Sequence, residues 1–77
     1  MNSKKTTVTG VIEQKILTER ELEILNWVAQ GLSNKEIAVR LNISRYTIES
    51  HIKHIYRKLS VTTRTKAINV ARDLGIL

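Results

Sequence analysis

The sequence predicts a small all-α domain of four helices with a flexible N-terminal arm. Apolar residues recur at helical spacing over most of the chain, and Ser or Thr residues followed three positions later by Glu mark helix starts. No segment shows the alternating apolar pattern of a strand strongly enough to compete. Because the 77 residues contain no proline and three glycines, helix ends must be set mostly by capping side chains.

The first predicted helix runs from Glu19 to Gln30. Thr18 and Glu21 have the spacing of a capping box, in which each side chain accepts a hydrogen bond from the backbone N–H of the other residue. Gly31 supplies the left-handed residue that often follows a helix. Glu21 also falls within the apolar stripe of this helix, where a buried carboxylate would suggest catalysis. Its place in the capping box explains Glu21 better.

Two further helices follow in close succession. Ser33 and Glu36 have capping-box spacing and open a short helix over residues 34–41. The connection "NIS" then leads to a longer helix, over residues 44–59, with Ser44 as its N-cap. This longer helix contains both histidines of the chain.

The fourth predicted helix covers residues 64–75, with Thr63 as the N-cap and Gly75 at its end. Its buried stripe is expected to comprise Ala67, Val70, Ala71 and Leu74. Ile68 lies about 100° from Ala67 around this helix and is the apolar residue that the core explains least. We expect Ile68, with Asn69 and Arg72 on the outer side, to form a self-complementary contact between two copies of the chain.

Positive charge is concentrated in the second half of the chain. The net charge is +6, and residues 1–34 contain as many acidic as basic side chains, so the excess falls in residues 35–77. This asymmetry favours a nucleic-acid or anionic-membrane surface. Cysteine is absent, as is any secretory or membrane-spanning apolar run, so we expect a cytoplasmic protein. Residues 1–16 are expected to form the arm and residues 17–77 the domain.

The third helix is expected to have an apolar side and a basic outer side. At about 100° per residue, four apolar residues lie on one side of the helix, the later three within about 40° of the first. These residues are Ile48, Ile52, Ile55 and Leu59. The opposite side carries Tyr46, Ser50, Lys53 and Arg57, flanked by Thr47, His54 and Lys58. A short helix, a tight connection and a longer helix with such a face are typical of a helix-turn-helix, whose second helix enters the major groove of DNA.

Four segments also carry a family resemblance: "LTERELEIL", "GLSNKEIAVRLNIS", "TIESHIKHIYRKL" and "RTKAINVARDLGIL". Together they resemble the LuxR-type (NarL/FixJ, GerE-like) DNA-binding domain of bacterial transcription regulators, over about residues 17–77. The resemblance implies a four-helix domain that binds a roughly palindromic promoter site as a dimer through its last helix. The chain departs from the family at Ser60, where glycine is usual.

The resemblance also implies site residues. In the family, bases are read chiefly from the positions held here by Glu49, Ser50 and Lys53. Phosphates are met around Lys35, Thr47, His54, Arg57 and Arg64, to which we add Lys58 because it lies on the same outer side. Lys53 can bond guanine or only a phosphate, and Glu49 can accept from cytosine or belong to a charge ladder with Arg45 and Lys53.

The remaining polar and aromatic candidates are expected to be structural. His51 is expected to pack at the core edge, whereas His54 can donate to a phosphate or remain solvated. A metal site would need further ligands, so we expect no metal and no cofactor. Trp27 and Tyr56 are expected at the core edge. No catalytic set can be assembled, and an enzyme is not expected.

The expected partners are double-stranded DNA and a second copy of the chain, with RNA polymerase as a further partner. No membrane or small-molecule ligand is expected. A sigma-factor region-4-like promoter reader is an alternative, because "LTERELEIL" and "EIAVRLNIS" suit that family too. The fourth helix argues against it, since those domains usually end with the recognition helix. A small helical adaptor that binds an acidic protein is an alternative of another class.

Overall fold

The computed structural model describes residues 16–77, which form four α-helices and no strand. The helices are α1 (Glu19–Ala29), α2 (Asn34–Leu41), α3 (Arg45–Leu59) and α4 (Arg64–Asp73). This confirms the all-α prediction. The predicted arm lies almost entirely outside the described residues. Within residues 16–77 no helix has the length and apolar character needed to cross a membrane.

Side-chain caps begin all four helices at the predicted positions. The capping boxes of Thr18 with Glu21 and of Ser33 with Glu36 are both complete. Ser44 and Thr63 each accept a hydrogen bond from the backbone N–H three residues further along. These bonds satisfy amides that have no partner inside the helix, which explains why the starts were predictable from local sequence.

The helices pack around one aliphatic core to which α3 contributes a continuous seam. The buried residues of α3 are Ile48, Ile52, Ile55 and Leu59, as predicted. The other helices and the segment before α1 complete the core with Leu17, Ile24, Leu25, Val28, Ile37, Ala38, Ala67 and Ala71. Because the seam occupies one side of α3, the opposite, polar side is left facing outward.

The end of α4 differs from the prediction. The helix ends at Asp73 rather than at residue 75, and Leu74, predicted to be buried, is 48% exposed. Gly75 adopts a φ of 76°, and the N–H of Ile76 donates back to the carbonyl of Ala71 at 2.8 Å. This turn packs Ile76 against the core. Leu74 was therefore wrongly assigned to the core, because the returning chain covers that end of the helix instead.

The first helix is also slightly shorter than predicted. It ends at Ala29, and Gln30 is its C-cap. Gly31 follows with a φ of 93°, as expected for the residue that stops this helix. The N–H of Gln30 still donates to the carbonyl oxygens of Asn26 and Trp27, both at 3.1 Å, so the difference concerns only the last residue of the helix.

Two non-glycine residues end helices in the left-handed conformation. Asn42 after α2 and Ser60 after α3 both have a φ of 56°. Asparagine tolerates this conformation better than other residues because its short amide can hydrogen-bond locally, but serine has no such advantage. Ser60, the departure from the family pattern, thus keeps the geometry of a glycine cap at a conformational cost.

We expect Ser60→Gly to stabilise the domain by about 1 kcal/mol, since glycine avoids most of the left-handed penalty while adding some freedom to the unfolded chain. Such a change corresponds to a rise in Tm of about 4–8 °C for a domain of this size. Asn42→Gly, at a matched φ, is the control and should give a smaller rise. A Tm that falls in Ser60→Gly would show that the serine side chain stabilises the turn.

Candidate nucleic-acid interface

The outward side of α3 forms a shallow concave surface at its N-terminal half. The side chains that line it are Tyr46, Thr47, Glu49, Ser50 and Lys53. All five residues are exposed. The structure thus brings together the three predicted base-reading residues, with one predicted phosphate contact beside them. Tyr46 belongs to the same surface and had been placed on the outer face without a role.

The start of α3 is electrostatically suited to a negatively charged partner. Its first turn contains no acidic residue, so no carboxylate competes for the free backbone amides. Ser44 Oγ accepts from the N–H of Thr47 at 3.0 Å, and the two hydroxyl oxygens lie 2.9 Å apart. Thr47 is therefore held at the helix start, where amides and hydroxyls together can meet a phosphate.

Glu49 pairs with Arg45, while Lys53 remains outside the ladder. Arg45 Nε lies 3.4 Å from Glu49 Oε2, with the side chains 64% and 49% exposed. Such an exposed pair contributes only a few tenths of a kcal/mol and can open when a partner arrives. Among residues 16–77, Lys53 takes part in no salt bridge. Half of the predicted charge ladder is thus present, and the Lys53 ammonium is available to a ligand.

The predicted phosphate contacts divide into two groups. Lys35, Thr47, His54 and Arg57 are exposed; Thr47 lines the concave surface, and Lys35 lines a neighbouring cleft with Ser44 and Arg45. The other two, Lys58 and Arg64, make bonds within the protein. Lys58 joins α3 to α1, and Arg64 joins α4 to the connection before α2 and to the first residue of α2.

Lys58 bonds the buried carboxylate of Glu21. Lys58 Nζ donates to Glu21 Oε1 at 2.8 Å, and the same oxygen accepts from the N–H of Thr18 at 2.9 Å. Burial raises the pKa of Glu21, but the hydrogen bonds from Lys58 and Thr18 and the charge of Lys58 outweigh it, so the pKa lies below its usual value. The capping role predicted for Glu21 is confirmed, and the pair with Lys58 is an addition to it.

Arg64 joins α4 to the connection between α1 and α2. Its guanidinium donates to the carbonyl oxygen of Leu32 at 3.0 Å and to Asn34 Oδ1 at 2.7 Å. A guanidinium carries further N–H groups, so these two bonds do not use up its capacity to donate to a phosphate. Arg64 therefore orients the start of α4 whatever else it contacts.

The histidines and aromatic residues occupy the places expected of them. His51 is partly buried and His54 is exposed. Within residues 16–77 no group of three or more metal-binding side chains is found. Trp27 and Tyr56 are partly buried and pack against the core, and Arg40 lies 4.9 Å from the centre of the Trp27 ring. The Trp27 ring is thereby covered by a cation rather than open to a base.

Two of the three residues predicted to form a contact between copies of the chain lie on the exposed side of α4. Asn69 and Arg72 are exposed, whereas Ile68 is partly buried and packs against the core. Leu74, at the end of the helix, is the more exposed apolar side chain. Ile68 is thus better accounted for by the core than the sequence suggested.

Comparison with known proteins agrees with this geometry. Residues 15–71 match the family described as "GerE: Bacterial regulatory proteins, luxR family". The nitrate/nitrite response regulator protein NarP of Escherichia coli (strain K12) is 56% identical over 52 residues, which are 68% of this chain and 24% of NarP. The oxygen regulatory protein NreC of Staphylococcus aureus (strain JH9) is 41% identical over 76 residues, which are 99% of this chain and 35% of NreC.

A solved structure matches as well. A crystal structure of the response regulator ChrA, from a heme-sensing two-component system, superposes with a TM-score of 0.77 and 48% sequence identity, covering 79% of this chain and 30% of ChrA. The chain thus spans between a quarter and about a third of the length of these relatives. With the four helices, the outward polar face of α3 and the match over residues 15–71, the chain belongs to the luxR family of bacterial regulatory proteins, as a helix-turn-helix DNA-binding domain of a transcription regulator.

Proposed function

We propose that the domain binds a roughly palindromic promoter site as a dimer, with α3 in the major groove and α4 at the contact between the two copies. Each copy would read one half-site, and the half-site centres would lie about 10 base pairs apart. The protein would act in the bacterial cytoplasm, where it would bind chromosomal DNA within reach of RNA polymerase.

The observation that carries this proposal is the division of α3 into two opposite sides. Ile48 and Ile55 are 0% and 1% exposed, whereas Ser50 and Lys53 face outward on the concave surface. The buried side fixes the rotation of the helix about its axis. The outer side then presents a hydroxyl and an ammonium to the base edges, and neither group has to be released from a partner in the core.

Within the interface we propose that Lys53 and Ser50 read bases and that Glu49 reads a base once its exposed pair with Arg45 opens. Lys35, Thr47, His54 and Arg57 would contact phosphates. Lys58 and Arg64 would do so only as a second role, because their first bonds hold the helices together. Phosphate contacts set the register of α3, and base contacts supply the specificity.

Lys53→Ala tests the assignment of the reading side. We expect this variant to bind its selected operator about 5- to 150-fold more weakly, the factor for losing a good base contact, while its binding to random DNA falls much less. The measurement is affinity for both DNAs in a gel shift, with the operator obtained by selection from a random pool.

Lys35→Ala is the matched control, since Lys35 is an exposed lysine on α2 that we assign to a phosphate. It should weaken binding to the operator and to random DNA by a similar factor, leaving their ratio unchanged. If Lys53→Ala also left that ratio unchanged, the outer side of α3 would not be the reading side. If the domain bound no DNA, an adaptor function would take its place.

A further inference from the structure

Tyr46 is an aromatic side chain left in water at the start of α3. It is 83% exposed, the highest value among the exposed large apolar side chains of residues 16–77. At that exposure its ring adds almost nothing to the core. Covering the apolar ring with a partner would remove it from water, which lowers the free energy and so favours binding. Tyr46 also lines the concave surface together with Ser50 and Lys53.

We infer that Tyr46 is a further base-reading residue, whose ring covers the C5-methyl group of a thymine in the major groove. This inference rests on the proposed function, because it requires α3 to lie in that groove. It adds to the interface a contact that depends on apolar surface rather than on charge.

The helix geometry places Tyr46 on the reading side. Ser50 and Lys53 follow it by four and seven residues, so at 100° per residue they lie within about 40° of its direction. Seven residues rise about 10.5 Å along the axis, close to three base-pair steps of about 3.4 Å. With Tyr46 included, the reading side therefore reaches about 6 Å, or nearly two base-pair steps, further along the groove than Ser50 and Lys53 reach together.

The chemistry of a duplex selects the thymine methyl. Base faces are stacked inside the helix, so a ring that enters the major groove meets only base edges and cannot stack as it would on a single strand. Among those edges, the C5-methyl of thymine is the apolar one. The phenol hydroxyl can in addition bond a phosphate, which is a contact without sequence preference.

The test separates the ring from its hydroxyl and the methyl from the rest of the base. Operators would be selected from a random DNA pool with the wild-type domain and with Tyr46→Ala. Each thymine of the wild-type half-site would then be replaced by deoxyuridine, which removes only the methyl group. Affinities would be measured for wild type, Tyr46→Ala, Tyr46→Phe and Val39→Ala, the last being a control because Val39 is 74% exposed on α2.

We expect one thymine to be selected by the wild type and not by Tyr46→Ala. Deoxyuridine at that position should weaken wild-type binding about fourfold, the value of one buried methyl group. Tyr46→Phe and Val39→Ala should keep this penalty, and Tyr46→Ala should lose it. The effect should persist at high salt, because no charge is involved.

Three results would overturn the inference: no thymine among the selected positions, an undiminished deoxyuridine penalty in Tyr46→Ala, or losses in Tyr46→Phe equal to those in Tyr46→Ala on operator and random DNA alike. The third would assign the hydroxyl to a phosphate. Lys53→Ala, measured in parallel, separates this failure from that of the proposed function. If its selectivity drops while Tyr46→Ala behaves as wild type, α3 still reads DNA and only Tyr46 is misassigned.

Discussion

Raising the NaCl concentration from 50 to 200 mM is expected to weaken binding to a two-half-site operator by about 10⁵-fold. Cationic side chains that meet phosphates release condensed counterions, and the gain from this release falls as salt rises. About four to six phosphate contacts per copy of the chain give a slope of about −4 to −5 for log affinity against log salt concentration. The measurement is a series of gel shifts or anisotropy titrations at several salt concentrations.

A DNA carrying one half-site is the matched control for the dimer. A single copy should give about half the slope found on two half-sites, because it neutralises half as many phosphates. Equal slopes on both DNAs would contradict dimer binding, and a flat response on both would contradict the phosphate contacts. The lower end of the expected range is the better guide, because Lys58 and Arg64 already have partners inside the protein and Thr47 carries no charge.

Glu21→Gln is expected to lower the free energy of unfolding by about 1–2 kcal/mol at pH 7, because it removes a charged hydrogen bond to a lysine that solvent partly screens. Lys58 is 36% exposed in its side chain and Glu21 is 6% exposed. The total stability of a core this small is about 3–5 kcal/mol, so the midpoint of urea unfolding should fall markedly. Urea titration followed by circular dichroism measures the change.

The effect should depend on pH in a defined direction. The folded pKa of Glu21 is lowered, so its contribution is fully present above the unfolded value of about 4.3 and is lost as pH falls through the folded pKa. The difference between wild type and Glu21→Gln should therefore be constant near neutrality and shrink towards zero in acid. A difference that grows on acidification would contradict the ion pair.

Glu36→Gln is the control for this prediction. Glu36 occupies the same position in the second capping box, and the hydrogen bond from the Ser33 backbone amide likewise lowers its pKa. It is exposed, and its capping bonds join residues three apart, with no partner on another helix among its hydrogen bonds. Equal losses in the two variants would show that capping, rather than the bond to Lys58, accounts for the effect of Glu21.

The Glu21–Lys58 pair also bears on DNA binding, because it joins the start of α1 to the last turn of α3. A base-reading helix has to be held to within about half an ångström of its productive position. The buried seam fixes the rotation of α3, and the pair adds a polar tie near its end. Loss of the pair is therefore expected to affect the interface through the position of α3, at some distance from the bases.

The helix starts, the seam and the outer face of α3 followed from the sequence alone, because they depend on interactions between residues three or four apart. The capping residues and the buried side of α3 were identified in this way. The contacts of Lys58 and Arg64 were not identified from the sequence. They join residues 37 and 30 positions apart, and no local sequence pattern predicts a contact over such a separation. Only packing of the helices brought Glu21 to Lys58, and only the turn after α4 made Ile76, rather than Leu74, pack against the core.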